Sequence, residues 1–149
     1  MPTGEARYVV NAGTLPAAPG AYALALDLRR PVAVATARLG TAMVPAGRYL
    51  YCGSARGAGG LRARVARHMR RDKAVRWHID QLTMRSTPTG VFVIQEGREC
   101  VLVQCLLELS GVAAPLAGFG ASDCRTCPAH LVTWPPGLGR DALLRRLAG

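Results

Sequence analysis

Lysine, acidic residues and long apolar runs are all scarce in this chain of 149 residues. Lys73 is the only lysine among 19 basic residues, and acidic residues number 9. No apolar stretch approaches the roughly 20 residues that a membrane-spanning helix needs, and the amino terminus lacks the pattern of a secretory signal. Five cysteines, an odd number, cannot all pair, which is typical of a reducing compartment. We therefore expect a cytoplasmic protein without a membrane segment, whose cysteines remain thiols or bind metal.

The length and the apolar content predict a single domain over residues 1–149. Apolar runs predict strands at residues 20–28, 32–39, 48–53, 91–95 and 130–134. Helical periodicity predicts helices at residues 59–71, 76–85, 98–110 and 140–147. Short connections join the first three strands, so we expect an antiparallel meander. The predicted fold class is α/β, with a small, mainly antiparallel sheet flanked by helices.

Positive charge is concentrated in residues 56–76. This segment holds eight basic residues against one acid, a net charge of +7 out of +10 for the chain. Clustered cations favour a nucleic-acid partner, because binding releases counterions from its phosphates. A solvated helix face is the alternative. The candidate nucleic-acid contacts are Arg62, Arg67, Arg70 and Arg71, which helical spacing turns outward, and Arg56, Lys73, Arg76 and His78 around them.

Two tyrosine–glycine segments, Gly20-Ala21-Tyr22 and Tyr51-Cys52-Gly53, lie in predicted strands, so two phenol groups are expected at neighbouring strand ends. A glycine-rich entry at residues 56–60 leads into the basic helix, where Arg64 and His68 share one face. We expect these side chains to converge at a centre that cuts phosphodiester bonds. Core packing with satisfied hydroxyls is the alternative for the two tyrosines.

Further motifs follow along the chain. They are Ser54-Ala55 after the second tyrosine segment, Gly59-Gly60-Leu61, Arg67-His68, Trp77-His78-Ile79-Asp80, Glu99-Cys100 and Gly118-Phe119-Gly120-Ala121-Ser122-Asp123-Cys124. As a set they resemble the GIY-YIG nuclease superfamily, with Ala21 and Cys52 in place of the two isoleucines. The likeness is closer to a branch of small GIY-YIG-like proteins, some fused or neighbour to endonuclease III-type repair glycosylases. It covers residues 19–131, and it implies a small central sheet and nuclease chemistry on DNA or RNA.

Glu99 opens an apolar helical segment. An acid in a first turn is favoured by the helix dipole, so a capping role is one interpretation. The resemblance implies instead that Glu99 binds one Mg²⁺ or Mn²⁺ ion, which keeps part of its hydration shell. In that scheme Tyr22, or else Tyr51, accepts the proton of the attacking water, and Arg64 and the metal favour its phenolate form. Arg64 also contacts the phosphate, while His68 holds a phosphate oxygen or the tyrosine.

A second constellation is formed by Cys124, Cys127 and His130 in a Cys-x-x-Cys-x-x-His pattern. Thiolates and an imidazole at this spacing can hold zinc on one loop, with His78 or Asp123 as the fourth ligand. A buried thiol pair or a redox pair is the alternative. For His78, a contact to nucleic acid and an ordinary structural role also remain open.

The sequence predicts a metal-dependent DNA endonuclease or nickase, acting in repair with an endonuclease III-type glycosylase as a candidate partner. A non-catalytic nucleic-acid-binding module that assists such a glycosylase is the second hypothesis. A zinc-based or thiol-based regulatory protein is the third.

Overall fold

The computed structural model of the protein describes residues 5–121 and 124–148. Its strands are β1 (Ala6–Val9), β2 (Gly20–Leu28), β3 (Val32–Thr36), β4 (Gly40–Val44), β5 (Gly47–Ala55), β6 (Gly90–Gln95) and β7 (Leu131–Thr133). Its helices are α1 (Gly60–Met69), α2 (Asp80–Thr83), α3 (Glu99–Leu107) and α4 (Arg140–Ala148).

Five strands form the central sheet in the order β1-β6-β2-β5-β7, and every neighbouring pair is antiparallel. The two tyrosine segments lie on adjacent strands, because β2 pairs with β5 and places Tyr22 opposite Gly53. A Cβ atom on Gly53 would collide with the Tyr22 ring, so glycine is required where the phenol crosses the neighbouring strand.

Each face of the sheet carries its own core, because successive side chains of a strand point to opposite faces. Tyr22 and Leu24 face the layer that contains α1, α2 and the β3–β4 hairpin. Ala21 and Ala23 face the layer of α3 and α4, where small side chains let the helices approach the sheet closely. The predicted class is therefore confirmed: an α/β domain with a mainly antiparallel sheet flanked by helices.

The predicted meander of three strands is wrong. Strand β2 already has β6 on one side and β5 on the other, so β3 cannot join the central sheet next to it. It pairs instead with β4 in a separate two-stranded sheet. The strand predicted at residues 32–39 extends beyond the end of β3 at Thr36 into the turn before β4. Neither β4 nor β1 was predicted from the sequence.

Helix boundaries also differ from the predictions. The helix predicted at residues 76–85 is only Asp80–Thr83, and the one predicted at residues 98–110 ends at Leu107. Before α2 the backbone is turned by Asp80, whose carboxylate accepts hydrogen bonds from the amides of Arg76 and Trp77. Within the described parts of the chain, no helix is both long and apolar enough to cross a membrane.

Candidate active site and metal centre

A cavity of about 630 Å³ lies at the end of the central sheet where β2 begins and β5 ends. Four of the five predicted catalytic residues line it, and the fifth, His68, lies behind them. The lining residues are Tyr22, Tyr51, Gly53, Ser54, Arg64, Arg76, Trp77, His78, Glu99, Cys100, Gly120, Ala121, Cys124, Arg125 and His130.

His68 supports Tyr22 from the protein interior. Its Nε2 atom lies 2.7 Å from the Tyr22 hydroxyl, and the residue is 1% exposed. Burial, with the nearby charge of Lys73, lowers the pKa of His68 to about 3, so the ring is neutral at neutral pH. Its other ring nitrogen, Nδ1, is buried without a hydrogen-bond partner among the described residues. Of the two roles predicted for His68, the observed contact is the one to the tyrosine.

The phenols of Tyr22 and Tyr51 are both protonated at neutral pH. Burial raises the pKa of each above its ordinary value, and the nearby Arg64 guanidinium opposes that shift only in part. The sequence-based expectation that Arg64 favours phenolate has the right sign, but desolvation is the larger effect. In the protein without a bound cation the Tyr22 phenol therefore keeps its proton, and His68 Nε2 is the ring nitrogen within hydrogen-bond distance of it.

Arg64 is held at the cavity by two contacts. Its guanidinium donates a hydrogen bond to the Ser54 carbonyl oxygen at 3.0 Å, and it lies 4.5 Å from the centre of the Trp77 ring. The Arg67 guanidinium lies 4.3 Å from the same ring, so the indole contacts two cations. Both contacts restrict the Arg64 side chain before any ligand binds, which lowers the entropy cost of binding a phosphate.

Arg67 was predicted to face outward, and that prediction is wrong. It donates to both carboxylate oxygens of Asp80, at 2.8 and 2.9 Å, and Asp80 is fully buried. Although burial opposes the charge of Asp80, the hydrogen bonds from Arg67 and from two backbone amides lower its pKa to about 2. This bidentate pair fixes α2 to α1. Because both terminal nitrogens of Arg67 donate to Asp80, the guanidinium cannot also bind a phosphate bidentately.

Several other predicted nucleic-acid contacts also bind the protein itself. Arg62 donates to Leu15 O, Arg56 to Ser54 Oγ and Gly97 O, Arg71 to Met84 O and Arg85 O, and Lys73 to Arg67 O and His68 O at the end of α1. Burial lowers the pKa of Lys73 to about 8. Arg70 and Arg76 are exposed, and their side chains make no hydrogen bond within residues 5–121 and 124–148.

Among the described residues, three arginines give the cavity its cationic lining: Arg64, Arg76 and Arg125. Arg125 was not among the predicted contacts, because it lies 49 residues beyond Arg76, outside the basic segment. Only the return of the chain before β7 brings it to the cavity.

Glu99 is the first residue of α3 and is half-buried in the cavity wall. Its carboxylate accepts no hydrogen bond from the described part of the chain, so both oxygens can serve as ligands for a hard cation. An acid at this position also gains from the helix dipole. These two roles are compatible in one side chain.

Immediately after Glu99, Cys100 joins the predicted cysteine–histidine loop. The ligand atoms of Cys100, Cys124, Cys127 and His130 all lie within 4.8 Å of one another. The Cys100 sulfur is 3.5 Å from the Cys124 sulfur and 3.9 Å from His130 Nε2. A tetrahedral site with zinc–sulfur bonds of about 2.3 Å has edges of about 3.8 Å. The cluster can therefore hold a metal ion.

Two residues, His78 and Asp123, were predicted as candidates for the fourth ligand. His78, one of the two candidates, uses Nδ1 to accept a hydrogen bond from the Gly120 amide at 2.9 Å, and the other, Asp123, lies outside the described residues. Among the described residues, the fourth candidate ligand is Cys100. Its place directly after Glu99 was the available signal, although no ligand spacing connects it with Cys124, 24 residues later.

The thiols of this cluster differ in acidity. The Thr126 hydroxyl and nearby backbone amides lower the pKa of Cys124 to about 5. Burial, together with the neighbouring thiols, raises the pKa of Cys100 to about 12, and burial raises that of Cys127. All five cysteines of the chain are free thiols, and the remaining two, Cys52 and Cys105, are buried outside the cluster.

The fold and the cavity define an α/β domain with a tyrosine-lined and arginine-lined pocket beside a cysteine–histidine cluster. The chain belongs to the family described as domain of unknown function DUF123, whose model matches residues 21–143. This segment includes all the described residues that line the cavity. No curated protein and no solved structure matches the chain.

Proposed function

We propose that this protein is a GIY-YIG-type endonuclease or nickase that cleaves phosphodiester bonds of DNA with a divalent metal ion. The observation that carries the proposal is the convergence of Tyr22, Tyr51, Arg64 and Glu99 on one cavity. The adjacent antiparallel strands that bring the two tyrosines together, and the helix that brings Arg64 beside them, support the resemblance to that superfamily.

The cavity offers a group for each requirement of phosphodiester hydrolysis. Arg64 binds a phosphate oxygen in a fork already held over Trp77, and Arg76 and Arg125 neutralise the flanking backbone. Glu99 would hold Mg²⁺ or Mn²⁺, because a single carboxylate with water ligands suits such hard cations. When bound, the ion supplies charge for the leaving oxygen.

The proton of the attacking water is taken through the pair formed by Tyr22 and His68. Since burial keeps the phenol protonated, Tyr22 would accept the water's proton as its own proton moves to Nε2 of neutral His68, 2.7 Å away. Two bonds form as two break, and the positive charge appears on the buried imidazole. A phosphate bound to Arg64 would favour that charge.

The cysteine–histidine cluster is proposed to hold zinc rather than the catalytic ion. Three sulfur atoms and one imidazole nitrogen are a donor set that zinc prefers, and four protein ligands leave no open position for a substrate. The resemblance to proteins associated with endonuclease III-type glycosylases supports a place in DNA repair.

A non-catalytic nucleic-acid-binding module is the second candidate. It is favoured by the burial of both tyrosines, which are only 1% and 8% exposed and could serve as core residues. In this case the arginines of the cavity bind the phosphates of a nucleic acid, and no phosphodiester bond is cleaved.

A substrate panel separates the two candidates. Purified protein is incubated with single-stranded, duplex, nicked, branched and abasic DNA, and with RNA, in Mg²⁺, Mn²⁺ or EDTA. We expect Mg²⁺- or Mn²⁺-dependent cutting of at least one DNA substrate and none in EDTA. Tight binding without cutting in any of these conditions would favour the binding module.

A further inference from the structure

The position of Glu99 depends on how the start of α3 is held. The residue before the helix, Arg98, makes no side-chain capping hydrogen bond. On the upstream side, the amide of Glu96 donates to Pro19 O, and Arg56 donates to Gly97 O at 2.6 Å. On the downstream side, the next side chain that faces the cavity is Cys100.

The opposite wall of the cavity is a long connection between α3 and β7. Its described residues, 108–121 and 124–130, contain neither helix nor strand. Backbone hydrogen bonds between Gly118 and Pro128 and between His130 and Phe119 close it into a loop. Its side-chain hydrogen-bond contacts with the first turn of α3, in the described residues, are those of Cys124 and His130 with the Cys100 sulfur.

Sulfur contacts of 3.5 and 3.9 Å are weak links in a chain without metal. A tetrahedral ion would replace them with four coordinate bonds that join the first turn of α3 to the loop. Because Glu99 and Cys100 are adjacent, a bond to the Cys100 sulfur also restricts the backbone that carries the Glu99 carboxylate.

We propose that zinc bound by Cys100, Cys124, Cys127 and His130 is a positioning centre that holds Glu99, and with it the divalent-ion site, against Arg64 and Tyr22. This inference rests on the proposed function for the role of Glu99. The buried residues that form the cores on both faces of the sheet are not members of the cluster, and of the four ligands only Cys127 packs against one of these cores. The domain without zinc therefore keeps its fold and loses affinity for the divalent ion at Glu99.

The test compares Cys127→Ser with Cys105→Ser. Cys127 belongs to the cluster but does not line the cavity, whereas Cys105 is a buried cysteine outside it. Three quantities are measured on each protein: zinc per chain by atomic emission, Mn²⁺ affinity by electron paramagnetic resonance, and secondary structure by circular dichroism. The Mn²⁺ affinity attributed to Glu99 is the part that Glu99→Gln removes.

We expect about one zinc in wild type and in Cys105→Ser. Cys127→Ser should lose zinc, keep its circular dichroism spectrum and bind Mn²⁺ at least about tenfold more weakly, the size of effect seen when groups that orient metal ligands are removed. Wild type stripped of zinc should behave in the same way and recover on zinc addition.

Three results would overturn the positioning role. They are wild type without zinc, a zinc-free protein with unchanged Mn²⁺ affinity, and a zinc-free wild type that unfolds outright. DNA cleavage is recorded in parallel and is judged separately. Zinc-dependent Mn²⁺ binding in a protein that cuts no nucleic acid would support the positioning centre and contradict the nuclease.

Discussion

The two halves of the cavity differ in their donor atoms, and they meet at the peptide bond between Glu99 and Cys100. The oxygen half is formed by Tyr22, Tyr51, Arg64 and Glu99. The sulfur half is the cluster of Cys100, Cys124, Cys127 and His130, of which all but Cys127 line the cavity. In the sulfur half four ligand atoms lie within 4.8 Å of one another, so the protein alone can complete a coordination shell. In the oxygen half one carboxylate lies among cations, which leaves coordination positions for water and phosphate.

The difference in donor atoms assigns a structural role to the sulfur half and a catalytic role to the oxygen half in the proposed function. A closed set of four ligands holds an ion permanently and stiffens the wall, whereas an open site is completed only by its substrate. The first turn of α3 supplies a candidate ligand to each half, Glu99 to one and Cys100 to the other. A change in one half can therefore be tested while the other half is monitored.

Asp80→Ala should be the most destabilising of these changes. It leaves Arg67 half-buried without its bidentate partner, and breaking a buried pair costs about 3–5 kcal/mol. The backbone amide of Trp77 also loses its hydrogen bond to the Asp80 carboxylate. The Trp77 ring, which contacts the Arg64 guanidinium, is then held less firmly. Chemical denaturation measures the loss, and zinc content should persist in the folded fraction. The control is Asp141→Ala, which removes an exposed ion pair with Arg140 at 3.7 Å. This change should lower the free energy of unfolding by less than about 1 kcal/mol.

Arg64→Ala should damage cleavage far more than folding. Removing one preorganised group that stabilises transition-state charge costs about 10²–10³ in rate. Single-turnover cutting of saturated DNA measures it, with zinc content unchanged. Cutting by Arg64→Ala at the wild-type rate would show that Arg64 does not contribute to cleavage.

His68 should make the domain less stable at acid pH. Its pKa is about 3 in the folded protein against an ordinary value of about 6.5. Between these two pKa values His68 is protonated in the unfolded chain and neutral in the folded protein. The free energy of unfolding therefore falls as the pH drops from about 6.5 towards 3. The limiting slope is about 1.4 kcal/mol per pH unit.

The measurement for His68 is the free energy of unfolding of wild type minus that of His68→Gln, between pH 6.5 and 4.5. The difference cancels contributions from other groups, including the sulfur half. A difference that does not change with pH would show that His68 is not held neutral by burial.

Arg70→Ala should have the smallest effect. Its side chain is exposed, and it makes no hydrogen bond within the described residues. We expect weaker DNA binding and a slope of affinity against salt concentration that is reduced by about 1, while the cutting rate at saturation stays near wild type. An unchanged slope would place Arg70 outside the DNA contact.

Continuous or alternating apolar runs made the long strands predictable, and β2 was predicted with its observed bounds. The β3–β4 hairpin was not predictable as a separate sheet, because pairing depends on which strand edges remain open in three dimensions. In the site, short motifs identified Tyr22, Tyr51, Arg64 and Glu99. Arg125 comes to the cavity only through the return of the chain before β7, and the same return brings the cysteine–histidine loop to Cys100. No local spacing records either approach.

The most direct test of the account is single-turnover cleavage by Glu99→Gln in Mn²⁺, with zinc measured on the same sample. Glu96→Gln is the matched control, since this exposed acid lies three residues earlier and does not line the cavity. We predict about one zinc per chain in all three proteins and cleavage reduced at least about 100-fold in Glu99→Gln alone. Wild-type cleavage by Glu99→Gln would contradict the assignment of the catalytic ion to the oxygen half.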